Sequence, residues 1–212
     1  MKKSIVRLTL LGALLPSLSF AASTPMFNFS GGTVNFGQTF TYGFLFTPTV
    51  DIVVDGLGFF DQDSDGLSAA HRVGIWTTAG GLLASAAVAT GNSTLLGPSV
   101  NGGQFRYTDI ADLELTAGVS YMFGAAIEGA GDIWYAGGSN LSPSSLVNVA
   151  STGNFISGNF LFPSSNIGNR YAAGSFTARE APNGVPEPWS LALVGLGLAG
   201  VAASRRLPRT VV

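Results

Sequence analysis

The middle of the chain alternates apolar and polar positions with a period of two, the pattern of half-buried strands. Phe40, Tyr42, Phe44 and Phe46 fall on one side, and Thr39, Thr41, Gly43 and Leu45 on the other. Pro48 is expected to end that strand or to mark an edge, because proline withholds a ladder donor. Val50, Ile52 and Val54 continue an alternation against Asp51 and Asp55, leading into Leu57–Phe60. Further strands are expected at Val73–Trp76, Leu82–Ala89, Gln104–Thr108, Leu113–Gly118, Val119–Ile127, Asp132–Tyr135, Phe155–Phe162 and Tyr171–Ala178. Asn92–Gly103 and Gly137–Asn154 read as loops, rich in Gly, Ser and Asn. No stretch of this body has helical periodicity. The pattern predicts an all-β domain, an antiparallel jelly-roll-like β-sandwich of about nine or ten strands.

Both ends of the chain break this pattern. Lys2 and Lys3 precede an apolar run from Leu8 to Leu15, and Ser19-Phe20-Ala21 offers a small-x-small cleavage site. Residues 1–22 are therefore expected to be a secretory signal peptide, recognised by the Sec machinery and signal peptidase. Near the other end, Trp189 to Ala203 carries no charge, and Arg205, Arg206 and Arg209 follow. A bilayer crossing needs about 20 apolar residues, with a lower limit near 17. With an aromatic at one edge and arginines at the other, 189–204 is expected to be a transmembrane helix and 205–212 a basic cytoplasmic tail. Pro186 and Pro188 separate this helix from the body, leaving 23–180 as the β-domain and 181–188 as linker and motif.

The succession Val185-Pro186-Glu187-Pro188, apolar helix, Arg205-Arg206 resembles the PEP-CTERM sorting signal of Gram-negative bacteria. The resemblance covers about residues 184–209. It implies a protein held in the inner membrane until an exosortase, a membrane transpeptidase-like enzyme, cleaves near the motif. The cell surface or the extracellular matrix is then the expected destination. A plain C-terminal membrane anchor is the alternative. The body carries a second resemblance. Leu57-Gly58-Phe59-Phe60-Asp61, Asp65-Gly66-Leu67, His71–Trp76 and Gly80–Ser85 lie in order, followed by Leu115–Tyr121. Together they are similar to a bacterial domain of unknown function of the DUF4082 type, over about residues 35–178. That resemblance implies a β-sandwich and brings no established activity.

Composition narrows the functions open to the chain. Only 10% of its residues are charged, against about 25% in ordinary soluble domains. The net charge is −2, and basic residues cluster only beside the two apolar ends, which gives nucleic acid no footprint. There is no cysteine, so no disulfide framework, thiol nucleophile or thiolate metal site exists. His71 is the one histidine, and its expected role is a hydrogen bond to a carboxylate of the nearby loop.

Asp61, Asp63 and Asp65, followed by Gly66, alternate as the carboxylates of a Ca²⁺ loop do. The twelfth position of such a loop should be a bidentate glutamate and is Arg72. The other reading is an exposed turn whose aspartates bond their own backbone, with Gly66 at positive φ. Asp109, Asp112, Glu114, Glu128 and Asp132 are scattered acids that spacing alone pairs into no glycosidase dyad. Trp134 and Tyr135, beside Asp132 and a Gly-rich loop, are candidate glycan contacts, and Trp76 is expected to be core or half-buried. The expectation is an exported, non-enzymatic surface or matrix protein associating with exopolysaccharide. The alternative is an envelope glycan-active enzyme. Ice binding is disfavoured, since it calls for a flat array of regularly spaced Thr-x-Thr units and only isolated ones occur, Thr39-Phe40-Thr41 and Thr47-Pro48-Thr49.

Overall fold

A computed structural model describes residues 22–35, 37–91, 95–100, 102–128, 131–136, 140–168, 172–182 and 194–200. The signal peptide, the Val185–Pro188 motif and the basic tail lie outside the described residues, apart from Ala22. The chain divides into two units, and Ala21–Ala181 is one of them. Of the other, Pro182 and residues 194–200 are described, and 194–200 are helical. Among the described residues no helix is long and apolar enough to cross a membrane. The rest of the segment expected to do so is outside them.

The body is built from antiparallel strands. The first are short: β1 (Thr24–Pro25), β2 (Phe27–Ser30) and β3 (Thr33–Asn35). Then come β4 (Phe40–Pro48), β5 (Ile52–Asp61), β6 (His71–Thr77) and β7 (Leu82–Val88). They are followed by β8 (Leu95–Val100), β9 (Gly103–Leu115), β10 (Tyr121–Ile127), β11 (Trp134–Ala136) and β12 (Asn140–Pro143). β13 (Val147–Ser157), β14 (Ser165–Asn166) and β15 (Gly174–Glu180) complete the set. One sheet has the order β1-β15-β5-β9-β8, the other β14-β13-β4-β10-β6-β7. β11 pairs with β3, and β12 with β2, in two small ladders.

The aromatic row read from β4 forms the core as expected. Tyr42, Phe44 and Phe46 are buried, and Phe40 packs against them. Phe176 of β15 meets Phe46 at 4.9 Å between ring centroids, so the two sheets share one apolar core. Phe27 fits edge-on between them, 4.8 Å from Phe44 and 5.0 Å from Phe176, an arrangement the aromatic quadrupole favours. β10 is buried along its whole length, which explains why its run of Tyr121 to Ile127 shows so little polar alternation.

Among the described residues the strands number fifteen, not nine or ten, and Gln104–Thr108 and Leu113–Leu115 belong to one strand, β9. Three further expectations change. Leu95–Val100 is a strand within the segment expected to be a loop, and β12 and much of β13 lie in the stretch 137–154. Uncharged polar residues pair in a ladder as well as apolar ones do, and pattern alone missed them. Conversely, the expected strand Phe155–Phe162 stops at Ser157. Gly158 has φ 113° and Phe160 φ 46°, which takes the backbone out of the extended region.

The segment after that break lies over the outer side of the six-stranded sheet. Gly43, Gly124 and Gly74 are cross-strand neighbours there and make a flat row. A Cβ at Gly43 would lie 2.0 Å from the Phe123 carbonyl oxygen and 2.8 Å from Pro163, and one at Gly74 2.9 Å from Phe160. The glycines are needed for close approach. Trp76, on the strand face opposite Ile75, is closed in by Phe160 at 5.2 Å and Phe162 at 6.4 Å. It is 4% exposed, a buried residue outside the central core cluster.

Candidate functional site

β5 ends at Asp61 and β6 begins at His71, so the loop between them is held at both ends by sheet pairing. Its first residue is its anchor. Asp61 is buried, and its Oδ1 accepts from the Ser64 amide at 3.0 Å. Its Oδ2 accepts from the Gly66 amide at 3.0 Å and from Nε and Nη2 of Arg106, each at 2.6 Å. Arg106 reaches across from β9, where it faces Phe59, and its Nη2 also donates to the Ser64 carbonyl at 3.2 Å. Charge-assisted bonds of this kind are the strong ones. Gly66 has φ 121°, as a turn of this type requires, and Ser64 has φ 64°.

Asp63 and Asp65 are exposed beside this anchor, and one carboxylate oxygen from each of the three aspartates lies within 4.8 Å of the others. The hydrogen bond between Asp63 and Asp65 holds Asp63 below the ordinary carboxylate range and, with their mutual repulsion, pushes Asp65 above it. Ca²⁺ requires six to eight oxygens. Asp61 already has both oxygens bonded to protein donors, one of them an arginine, which leaves Asp63 and Asp65 as the available carboxylates. The three residues are brought together as the spacing suggested. They are arranged as a turn in which Asp61 bonds its own backbone, with the difference that this carboxylate is buried.

The second half of the loop is clasped from a distant part of the chain. His71 stacks on Phe59 at 3.8 Å with 6° between the planes and is 1% exposed. Its Nε2 lies 2.8 Å from Asp132 Oδ2 and its Nδ1 3.2 Å from the Ala126 carbonyl. Both neighbours are acceptors, and a neutral ring donates from one nitrogen only, so the tautomer decides which of the two it bonds. Asp132 accepts also from the Ser68 amide at 2.9 Å, the Ser68 hydroxyl at 2.8 Å and the Ala69 amide at 3.0 Å. Burial by itself would raise the Asp132 pKa. These donors outweigh it and bring the value down to about 2. The partner expected for His71 was a carboxylate of its own loop, whereas the one observed is Asp132.

A shallow polar cavity lies between the two clasps, with Asp63, Asp65, Ser68 and Asp132 on its walls. The other acids singled out from the sequence are dispersed. Glu128 pairs with Arg72, and Asp112 with Arg179. Tyr135 is 6% exposed, with its ring 5.2 Å from Phe29 and 5.8 Å from Phe60. That places its ring in the core and not at a sugar-facing surface. The backbone of Trp134 pairs with Asn35 in the β11–β3 ladder, and its side chain lies outside the described residues. Arg106 was missed in the sequence. The only signal for it was a charge in an otherwise uncharged alternating strand, Gln104–Thr108.

The body is thus an antiparallel β-domain whose polar residues are largely engaged with one another, followed by a segment of different character. Residues 184–206 match the PEP-CTERM protein-sorting motif. The match supports export, sorting to the cell surface and exosortase as the processing partner. A comparison with curated proteins finds no match.

Proposed function

We propose that the protein is a non-enzymatic component of the cell surface or extracellular matrix. In this reading its body, a β-sandwich of the DUF4082 type, associates with exopolysaccharide. The C-terminal segment holds it in the inner membrane until exosortase processing releases it to its destination. The observation that carries the export and surface part of the reading is the match of residues 184–206 to the sorting motif. The engagement of His71 supports the non-enzymatic part. A general base must reach its substrate, and this imidazole is buried with both nitrogens directed at protein oxygens. No bound cofactor enters the reading. Trp134 is the aromatic left for a glycan contact, since the Tyr135 ring is in the core.

The test is a panel of polysaccharides presented to the full-length protein, scored for retention and for released sugar. Retention without release, weakened by Trp134→Ala in a protein with an unchanged melting temperature, is the expected result. Released sugar would replace this reading with a glycan-active enzyme. Absence of retention across the panel would remove the glycan from it.

A further inference from the structure

β1 and β15, the first and last strands of the body, are neighbours: Thr24 pairs with Ala178 and Pro25 with Thr177. The residue after β1 fixes it in place. The Met26 amide donates to the Phe176 carbonyl at 2.8 Å, and the Met26 side chain is fully buried. Ser23, directly before β1, is thereby held against β5, where its hydroxyl donates to Asp55 Oδ2. The same oxygen accepts from Arg179 Nη1 at 2.9 Å, and Asp55 Oδ1 accepts from the Thr177 hydroxyl at 2.8 Å. Arg179 Nη2 turns to Asp112 at 2.6 Å.

Arg179 thus serves two carboxylates. The other arginines of the described body, Arg72 and Arg106, are engaged by Glu128 and Asp61. Among the described residues, this group therefore sets one positive charge against two negative ones. Removal of the signal peptide expected at residues 1–22 supplies the missing cation. Ser19-Phe20-Ala21 and the neighbouring frame put the cut before Ala22 or Ser23. Hydrolysis there leaves a carboxylate on the departing peptide and an ammonium on the body, where the precursor has a neutral peptide group. That ammonium is on the residue whose hydroxyl already bonds Asp55, or on the one before it. Only Cα and Cβ separate the Ser23 nitrogen from that hydroxyl, and Ala22 adds one residue of about 3.3 Å. A carboxylate within about 4–6 Å favours the charged form of an amine.

We propose that Asp55 is the binding site of the new N-terminal ammonium, so that signal-peptide removal completes an ion network fastening β1 to β15. The order of synthesis suits this role. Gly174–Glu180 is made last, so the cut end meets its partner strand only after the rest of the body has followed it. The strand so fastened is also the last one before the sorting motif at 184–206.

Lys2 and Lys3 are the chain's only lysines and leave with the signal peptide, so the α-amine is the sole amine of the processed chain. Acylation therefore reads it alone. The protein is expressed from its full gene in a host that exports it, and intact mass identifies the N-terminal residue. The midpoint of acylation rate against pH is measured for the folded protein and for an unstructured peptide with the same N-terminus, ending at Ser30. We expect a cut before Ala22 or Ser23 and a midpoint raised by roughly half a unit above the peptide's. Asp55→Asn should return the midpoint to the peptide's value, and Asp63→Asn should leave it raised. Equal midpoints for the wild type and the peptide would overturn the proposal without recourse to any variant. So would a raised midpoint in a folded Asp55→Asn protein. A chain that keeps residues 1–22, or is cut elsewhere, would overturn it through the cleavage and leave the sorting motif's role untouched.

Discussion

Replacing Asp61 with alanine would leave Arg106 a buried cation without a counter-charge. The two side chains are 2% and 1% exposed, and one carboxylate oxygen takes both near nitrogens of the guanidinium at 2.6 Å. Removing one partner of such a pair costs about 3–5 kcal/mol, because the remaining charge keeps its desolvation penalty and loses its compensation. Total stability of a domain is typically ~5–15 kcal/mol, so the loss is a large fraction of it. At about 2–4 °C per kcal/mol for a chain of this size, the melting temperature should fall by roughly 6–20 °C. Thermal unfolding followed by circular dichroism on the full-length protein measures it, with Asp63→Ala as the comparison. Asp63 is exposed and bonds no arginine, so its loss should stay within about 0.5 kcal/mol. The double replacement Asp61→Leu, Arg106→Met should recover much of the damage, since it removes both charges together. A loss below about 1 kcal/mol for Asp61→Ala, or equal losses for Asp61→Ala and Asp63→Ala, would refute the anchoring role.

Other consequences follow from the same contacts. Asp132 has a folded pKa of about 2 against an ordinary 3.8, so its contribution is complete above the ordinary value and is lost as pH falls toward 2. Asp132→Asn should therefore flatten the acid limb of melting temperature against pH in that window, and an unchanged limb would contradict the clasp. Millimolar Ca²⁺ should leave the melting temperature where it is, because Asp61 is already engaged. A rise that Asp63→Ala abolishes would establish a cation site in the loop. Gly43→Ala places a methyl group 2.0 Å from a backbone oxygen and should destabilise by more than the roughly 1–3 kcal/mol of ordinary overpacking. A neutral outcome in thermal unfolding would show that the segment over the glycine row is not closely packed.

The strands most visible in the sequence were those with a large apolar face and a polar one, such as β4 with its four aromatics. β8 and β12 lack that contrast and resemble loops in sequence, since Ser, Gly and Asn are shared by turns and by uncharged ladders. Phe155–Phe162 misled in the other direction. Its alternation continues past Ser157, but Phe160 and Phe162 serve a second packing surface outside the sheet ladder. The acidic loop was legible as a turn with Gly66 at positive φ, because short-range chemistry decides it. Its two anchors were not. Arg106 is 45 residues from Asp61 and Asp132 is 61 from His71, and nothing local in the sequence connects them. The C-terminal signal was the easiest to read, since its three parts are contiguous and do not depend on tertiary contact.

Delivery of the protein to the cell surface requires that signal to control where it goes. Fractionation of cells carrying the wild type beside a Pro186→Ala, Glu187→Ala variant tests this directly. The wild type should leave the inner membrane for the cell surface or the medium, and the variant should stay behind as the longer, unprocessed chain. Retention of both would reduce the segment to a plain membrane anchor, and release of both would show that the motif does not direct sorting.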